Sequence, residues 1–336
     1  MQKNKKIATF AISKTNLRLK TKLLIFNMKK NLLLAVLVSA LLLVFNSCKK
    51  TDLTPAYIQI NYEDIYNCLD VTSFNQDHDL NYDSEQLASL QQHDFSHVNV
   101  YVNNKNLGCW KLPCKVPVLG LNDKDSATLI LMPCFKKNGM NNTIQGYPFL
   151  NVLRQKVMLK KDKLYKVEQN PPIYKYTSYS RFPYLETFGN SSSFSPTGSD
   201  TNAVTFVPTI FEGRTVGAIT LHGADEDFDV TTQAITLPVY NYYVYLEITY
   251  KAESNIDIGL RLSTGTYSNA VHQVGGVKAT NGEWKTVYFD LSSVLMGYHN
   301  ASGSVTNANL LLSGVGNAGD THFYIDNIKI IYQPSA

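Results

Sequence analysis

From Tyr240 to Lys251 the chain alternates. Tyr240, Tyr242, Val244, Leu246, Ile248 and Tyr250 form the more apolar set, and Tyr243, Tyr245 and Glu247 fall between them. A period of two belongs to a strand with one face buried, because successive side chains leave a strand on opposite sides. Ile256, Ile258, Leu260 and Leu262 repeat the pattern, with Asp257, Gly259 and Arg261 between them. Shorter alternations recur at Tyr57–Ile60 and His97–Val102, separated by Gly, Asn, Ser and Asp clusters, while helical periodicity is almost absent. The body is therefore expected to be all-β. The stretch nearest to a helix is Asp83–Leu90, two turns at most.

Ahead of this body stands a different kind of segment. Met28-Lys29-Lys30-Asn31 is a basic head, Leu32 to Phe45 carries no charge, and Asn46-Ser47 leads into Cys48. That is the grammar of a secretory signal. The apolar run of about 14 residues is short of the roughly 20 that span a bilayer as a helix. Leu43-Val44-Phe45-Asn46-Ser47-Cys48 resembles the lipobox of bacterial lipoproteins in the looser form seen in Bacteroidota. The resemblance implies acylation of Cys48, an outer-membrane lipid partner and a lipid-anchored protein at the cell surface. Lys49-Lys50-Thr51-Asp52 offers one acid where exported surface lipoproteins often carry several, which leaves a periplasm-facing anchor open. Residues 1–27 hold seven basic residues and no acid, so Met28 is the expected start. Residues 1–47 are read as the signal segment and 48–56 as a lipidated tether.

The leader distorts the charge. Nine of the 31 Lys and Arg lie in residues 1–47, which leaves 22 against 27 acids and a net of −5 for the exported body. A basic surface for nucleic acid is excluded as a theme. Four cysteines follow Cys48: Cys68, Cys109, Cys114 and Cys134. In an exported chain they permit disulfides in three connectivities, or serve as small buried thiols. Their spacing lacks the paired Cys-x-x-Cys of a zinc site.

Pro171-Pro172 interrupts the strand pattern and marks a boundary. Residues 57–170 are read as a small N-terminal β-sandwich, 171–183 as a tyrosine-bearing linker, and 184–336 as a second sandwich. The run Val100 to Gly108 with Leu112-Pro113 and Val116–Leu119 resembles N-terminal domains of Bacteroidota surface lipoproteins, a resemblance that carries no catalytic residues. Leu185–Gly189, Trp284–Leu291 and Phe323–Ile330 resemble three strands of the jelly roll of carbohydrate-binding modules and galactose-binding-like domains. That resemblance implies a structural calcium shared by the opening-strand glutamate and closing-strand aspartate, here Glu186 and Asp326. Calcium takes six or more oxygens, so carbonyls and water would complete the site. Otherwise Asp326 caps a turn and Glu186 is solvated.

If the apolar sets face inward, Tyr243, Tyr245, Glu247 and Arg261 face outward. Tyrosine rings can stack on a pyranose while carboxylate and guanidinium bond its hydroxyls. The same residues could instead dock the first domain. Trp284 and Trp110 are read as packing. Gly314-Val315-Gly316-Asn317-Ala318-Gly319 spells a dinucleotide fingerprint, but a strand follows it where that fold needs a helix. His93 and His97 are read as loop residues, and Asp225-Glu226-Asp227 with Asp229 as a solvated turn. Asp125-Ser126-Ala127 resembles an exported-protein O-glycosylation site. No nucleophile motif stands out. The expected function is non-catalytic glycan binding at the cell surface; the alternative is an accessory subunit docking on an outer-membrane protein complex.

Overall fold

A computed structural model describes residues 28–32, 34, 54–66, 68–120, 126–167, 174–189, 191–197, 204–239, 242–262, 270–296 and 305–334. Cys48, its tether up to residue 53 and Asp125 lie outside the described residues. Among the described residues no helix is long and apolar enough to cross a membrane. Residues 54–336 form one unit.

Its first eight strands are β1 (Ala56–Ile60), β2 (His97–Val102), β3 (Lys105–Lys111), β4 (Cys114–Val118), β5 (Ala127–Lys136), β6 (Ile144–Gly146), β7 (Leu153–Val157) and β8 (Leu164–Lys166). They make two sheets, β4-β1-β8 and β3-β2-β5-β6, with β7 also paired to β5. Between β1 and β2 lie three short helices, α1 (Glu63–Tyr66), α2 (Phe74–His78) and α3 (Ser84–Leu90). α3 starts where the sequence signals it: Asp83 accepts from the Gln86 amide and the Gln86 side chain accepts from the Asp83 amide, a reciprocal capping box. Cys68, Cys109, Cys114 and Cys134 are thiols here.

The remaining strands are β9 (Arg181–Glu186), β10 (Phe194–Pro196), β11 (Val207–Phe211), β12 (Arg214–Leu221), β13 (Asp227–Thr232), β14 (Ile235–Pro238), β15 (Tyr242–Ala252), β16 (Ile256–Leu262), β17 (Val271–Val277), β18 (Lys285–Asp290), β19 (Val305–Val315) and β20 (Thr321–Pro334). One more short helix, α4 (Ser292–Met296), follows β18. One sheet runs β10-β13-β19-β16-β17 with β14 on β19; the other runs β11-β12-β20-β15-β18 with β9 on β20. We call them the front and back sheets. They enclose a single core: Val244, Leu246, Ile248 and Tyr250 of β15 meet Ile256, Ile258, Leu260 and Leu262 of β16 across it, with Ile325, Ile328 and Ile330 of β20. This is an all-β architecture of jelly-roll kind, and the alternation in β15 and β16 orients both strands as their apolar sets require.

One irregularity decides what the back sheet shows to the outside. β20 pairs Thr249 with Asn327 but Tyr250 with Ile325, so Asp326 is an extra residue in the ladder. A bulge of one residue swaps the parity of the strand. Before it Phe323 and Ile325 point into the core, and after it Ile328 and Ile330 do. His322 and Tyr324 therefore lie on the outer surface at one end, and Asn327, Lys329 and Ile331 at the other.

The N-terminal sheets cover the second of those ends. Ile331 of β20, Tyr245 of β15 and Tyr288 of β18 belong to the same apolar cluster as Val98, Val100, Phe135, Phe149, Tyr174 and Tyr176. Polar contacts pin the same seam. The Gln145 amide donates to Tyr245 Oη at 2.5 Å, Gln333 donates to the Pro148 carbonyl at 2.8 Å, and Lys137 pairs with Asp290 at 3.1 Å.

Candidate functional site

The expected ligand quartet does not assemble. Tyr243, Tyr245 and Glu247 stand on the outer face of the back sheet, whereas Arg261 stands on the outer face of the front sheet. Consecutive strands β15 and β16 belong to different sheets, so their outward side chains point in opposite directions. Tyr245 is 2 % exposed and Glu247 1 %, both beneath the N-terminal layer; Tyr243 at the rim is 36 % exposed. Outward from a sheet meant toward a neighbouring layer.

What lies under that layer is a charged network. Lys329 Nζ sits 2.9 Å from Glu247 Oε2 and donates to Tyr176 Oη at 3.1 Å. Tyr147 donates to Glu247 Oε1. Tyr176 bonds the Leu90 carbonyl at 3.0 Å and approaches His93 Nε2 at 3.1 Å, and His93 Nδ1 is 3.8 Å from Glu247 Oε2. Burial alone would lower the Lys329 pKa, but Glu247 and the hydrogen bonds to Glu247 and Tyr176 outweigh it and hold it above the ordinary lysine value. Burial, with the Lys329 charge, pushes His93 well below the usual histidine range. Tyr147 is pushed well up by burial and by Glu247. A lysine, a carboxylate and two phenols (Tyr147, Tyr176) out of contact with solvent serve as a fixed polar joint between layers. His93 was read as a loop residue and does lie in the loop between α3 and β2, with its side chain buried in this joint; His97, read the same way, opens β2 instead.

The uncovered end of the back sheet carries a different assembly. β11 and β12 are joined by Glu212-Gly213, both at positive φ (51° and 76°), the two-residue hairpin turn that matches strand twist. The turn places Phe211 opposite Arg214. Phe211 lies on Tyr324 with centroids 3.9 Å apart and planes 6° from parallel, and His322 continues the row at 6.0 Å and 9°. Trp284, just before β18, leans on Phe211 at 6.5 Å and 56°. It was read as core packing; instead it is only half-buried, because β18 begins at Lys285 and leaves the indole on the outer surface.

Charged groups frame the rings. Lys251 Nζ is 5.1 Å from the Phe211 centroid and 2.6 Å from Glu212 Oε1, and the Trp284 indole N–H donates to Glu212 Oε2 at 2.8 Å. Arg214 Cζ is 5.1 Å from the Trp284 centroid, and its Nη1 is 2.6 Å from Asp326 Oδ2. Glu253 accepts from the His322 amide at 2.8 Å and faces His322 Nδ1 at 2.9 Å. Hydrogen bonds from Lys251 and Trp284 hold the Glu212 carboxyl below its usual range, so it stays ionised. Ring surface with cations and carboxylates at its margin is suited to a ligand with apolar faces and many hydroxyls.

Glu186 and Asp326, the expected calcium ligands, have other partners. Glu186 Oε1 accepts from the Phe188 amide and Oε2 from the Ser193 amide, each at 2.7 Å, which fixes the turn after β9. Asp326 faces the Arg214 guanidinium. Burial raises its pKa despite that partner. Among the described residues no group of three His, Cys, Asp or Glu converges. This donor set does not fit a calcium ion, since both Glu186 oxygens are spent on amides and a cation stands at Asp326 already.

No family model and no curated protein matches the chain. Similar solved structures include a mutant of a carbohydrate binding module of family 29 (10% identity, 45% of this chain and 90% of that one, TM-score 0.28). A non-crystalline cellulose specific carbohydrate-binding module, CBM28, matches at 11% identity, 41% and 86% coverage and TM-score 0.31. A module named TmCBM61, solved with β-1,4-galactotriose, matches at 17% identity, 35% and 70% coverage and TM-score 0.23. The sandwich is established by the strand pairings of this chain itself.

Proposed function

We propose that this protein is a non-catalytic glycan-binding protein, held at the outer membrane by an acylated Cys48, whose ligand lies on the uncovered end of the back sheet. The observation that carries the reading is the surface row Phe211, Tyr324 and His322 beside Trp284, framed by Arg214, Lys251 and Glu212. Aromatic side chains beside charged hydrogen-bonding groups match a sugar, whose axial C–H faces are apolar and whose rim is hydroxyl. Affinity electrophoresis through gels cast with xylan, glucomannan, β-glucan or galactan tests it: retardation by one polysaccharide that is lost in Phe211→Ala is the expected result. Unretarded migration in every gel would count against it. The anchor is tested by labelled palmitate, which the parent should incorporate and Cys48→Ala should not.

The alternative is an accessory subunit docking on a membrane protein complex. It is favoured by the edge strand β11, on which Val207 and Ile210 are 59 % and 73 % exposed. Co-purification of an integral membrane protein that Ile210→Lys abolishes would support it.

A further inference from the structure

Between α3 and the β11–β12 hairpin lies a cleft of about 310 Å³. It is assigned to nothing above. Glu85 and Gln92 line it from the N-terminal layer; Thr187, Arg214 and Asp326 line it from the sandwich. The volume is at the small end of ligand sites, which run from roughly 300 to 1,000 Å³.

Its chemistry discriminates among ligands. An anion would face both carboxylates, and a metal cation would have to displace Arg214 from Asp326 at 2.6 Å. A neutral polyol meets no such conflict. It finds donors in Arg214 and Gln92, acceptors in Glu85 and Asp326, and a hydroxyl of either kind on Thr187. The wall is also held in place: Gln92 Oε1 accepts from Asn327 Nδ2 at 2.7 Å, and Asp326 is the bulge residue of β20. α3 is set by its capping box, and Glu85 packs so closely on Gly189 that an added Cβ there would stand 2.6 Å from Glu85 Oε2.

Arg214 belongs to both places, 5.1 Å over the Trp284 ring and 2.6 Å from Asp326. We infer that the cleft is a second sugar subsite, which takes the next residue of a neutral oligosaccharide lying across the aromatic row and which both layers of the protein build together. This rests on the glycan reading of the aromatic assembly and adds to it a polarity and a length requirement. The bound chain runs from Trp284 toward α3, and only an oligosaccharide long enough to pass Arg214 gains the contacts of Glu85 and Thr187.

The test is calorimetric titration of the purified protein with cellobiose and cellohexaose, and with the short and long members of the xylan, mannan and galactan series. The variants are Glu85→Ala with Thr187→Val, at the cleft, and Trp284→Ala, at the rings. For the series the parent binds, the cleft variant should hold the short member as the parent does and the long member about tenfold more weakly, a difference of about 1.4 kcal/mol. Trp284→Ala should weaken both. A cleft variant that matches the parent at every length, while Trp284→Ala still weakens binding, overturns the subsite and leaves the glycan reading standing. A parent that binds no member of any series overturns both.

Discussion

Lys329 and Glu247 meet at 2.9 Å with each side chain 1 % exposed. The pair sits on the back sheet under the N-terminal layer, bridged to that layer by Tyr147 and Tyr176. Two ions taken out of water are costly, and their attraction offsets the cost only while both are present and hydrogen-bonded. Lys329→Met should therefore destabilise the protein by about 3–5 kcal/mol in urea unfolding. Adding Glu247→Leu should recover much of that loss, because the stranded charge goes with it. Additive single losses would show that the two side chains do not act as a pair.

The same joint makes stability depend on pH. His93 is held neutral by burial and by Lys329 Nζ, with Glu247, Tyr147 and Tyr176 as its other polar neighbours. Its folded pKa is depressed, so below about pH 6.5 the unfolded chain binds a proton that the native state does not. The contribution is present above that pH and lost as pH falls, at up to about 1.4 kcal/mol per unit. Unfolding free energy measured from pH 7.5 to 5 should decline, and His93→Gln should flatten the decline. An unchanged slope in the variant would contradict this origin.

Gly217 faces the ring of fully buried Phe188, and an added Cβ would stand 2.3 Å from Phe188 Cε1. Overpacking of this kind costs about 1–3 kcal/mol. Gly217→Ala should lower the unfolding midpoint accordingly. Gly223→Ala, with nothing within 4 Å, should shift stability by less than about 0.5 kcal/mol.

Cys109 is the exposed thiol, although partial burial raises it as well; burial pushes the Cys68 thiol up to about 11 and the Cys134 thiol up to about 12. The thiolate is the reactive form. Under native conditions a thiol reagent should label Cys109 first, and Cys68 and Cys134 should react only on unfolding, as peptide mapping would show. Rapid native labelling of Cys134 would contradict the packing of β5.

The alternation in β15 and β16 was enough to orient both strands, and Asp83–Leu90, the stretch nearest to a helix, is where α3 forms. Alternation reports which side of a strand a residue takes, not what lies over that side. Hence Tyr245 and Glu247 were legible as outward, with ligand binding and docking of the first domain both open, and the structure shows the docking. Nor does alternation report which sheet a strand joins, and so Arg261 was grouped with side chains on the opposite face. The extra residue at Asp326 did leave a signal: Phe323 and Ile325 fall on odd positions and Ile328 and Ile330 on even ones, with the polar pair Asp326-Asn327 at the change of phase. The Glu212-Gly213 turn between two alternating segments was a signal that could have located Phe211 and Arg214.

On the glycan reading the ligand lies against Trp284. The chain has two tryptophans, Trp110 and Trp284, so Trp110→Phe leaves a single indole at the aromatic row. Its emission should be titrated with the polysaccharide that retards the protein in gels. A saturable shift in Trp284 fluorescence, absent when Phe211 is also replaced by alanine, is the predicted result. Retardation with no change in Trp284 emission would place the ligand elsewhere and contradict the account.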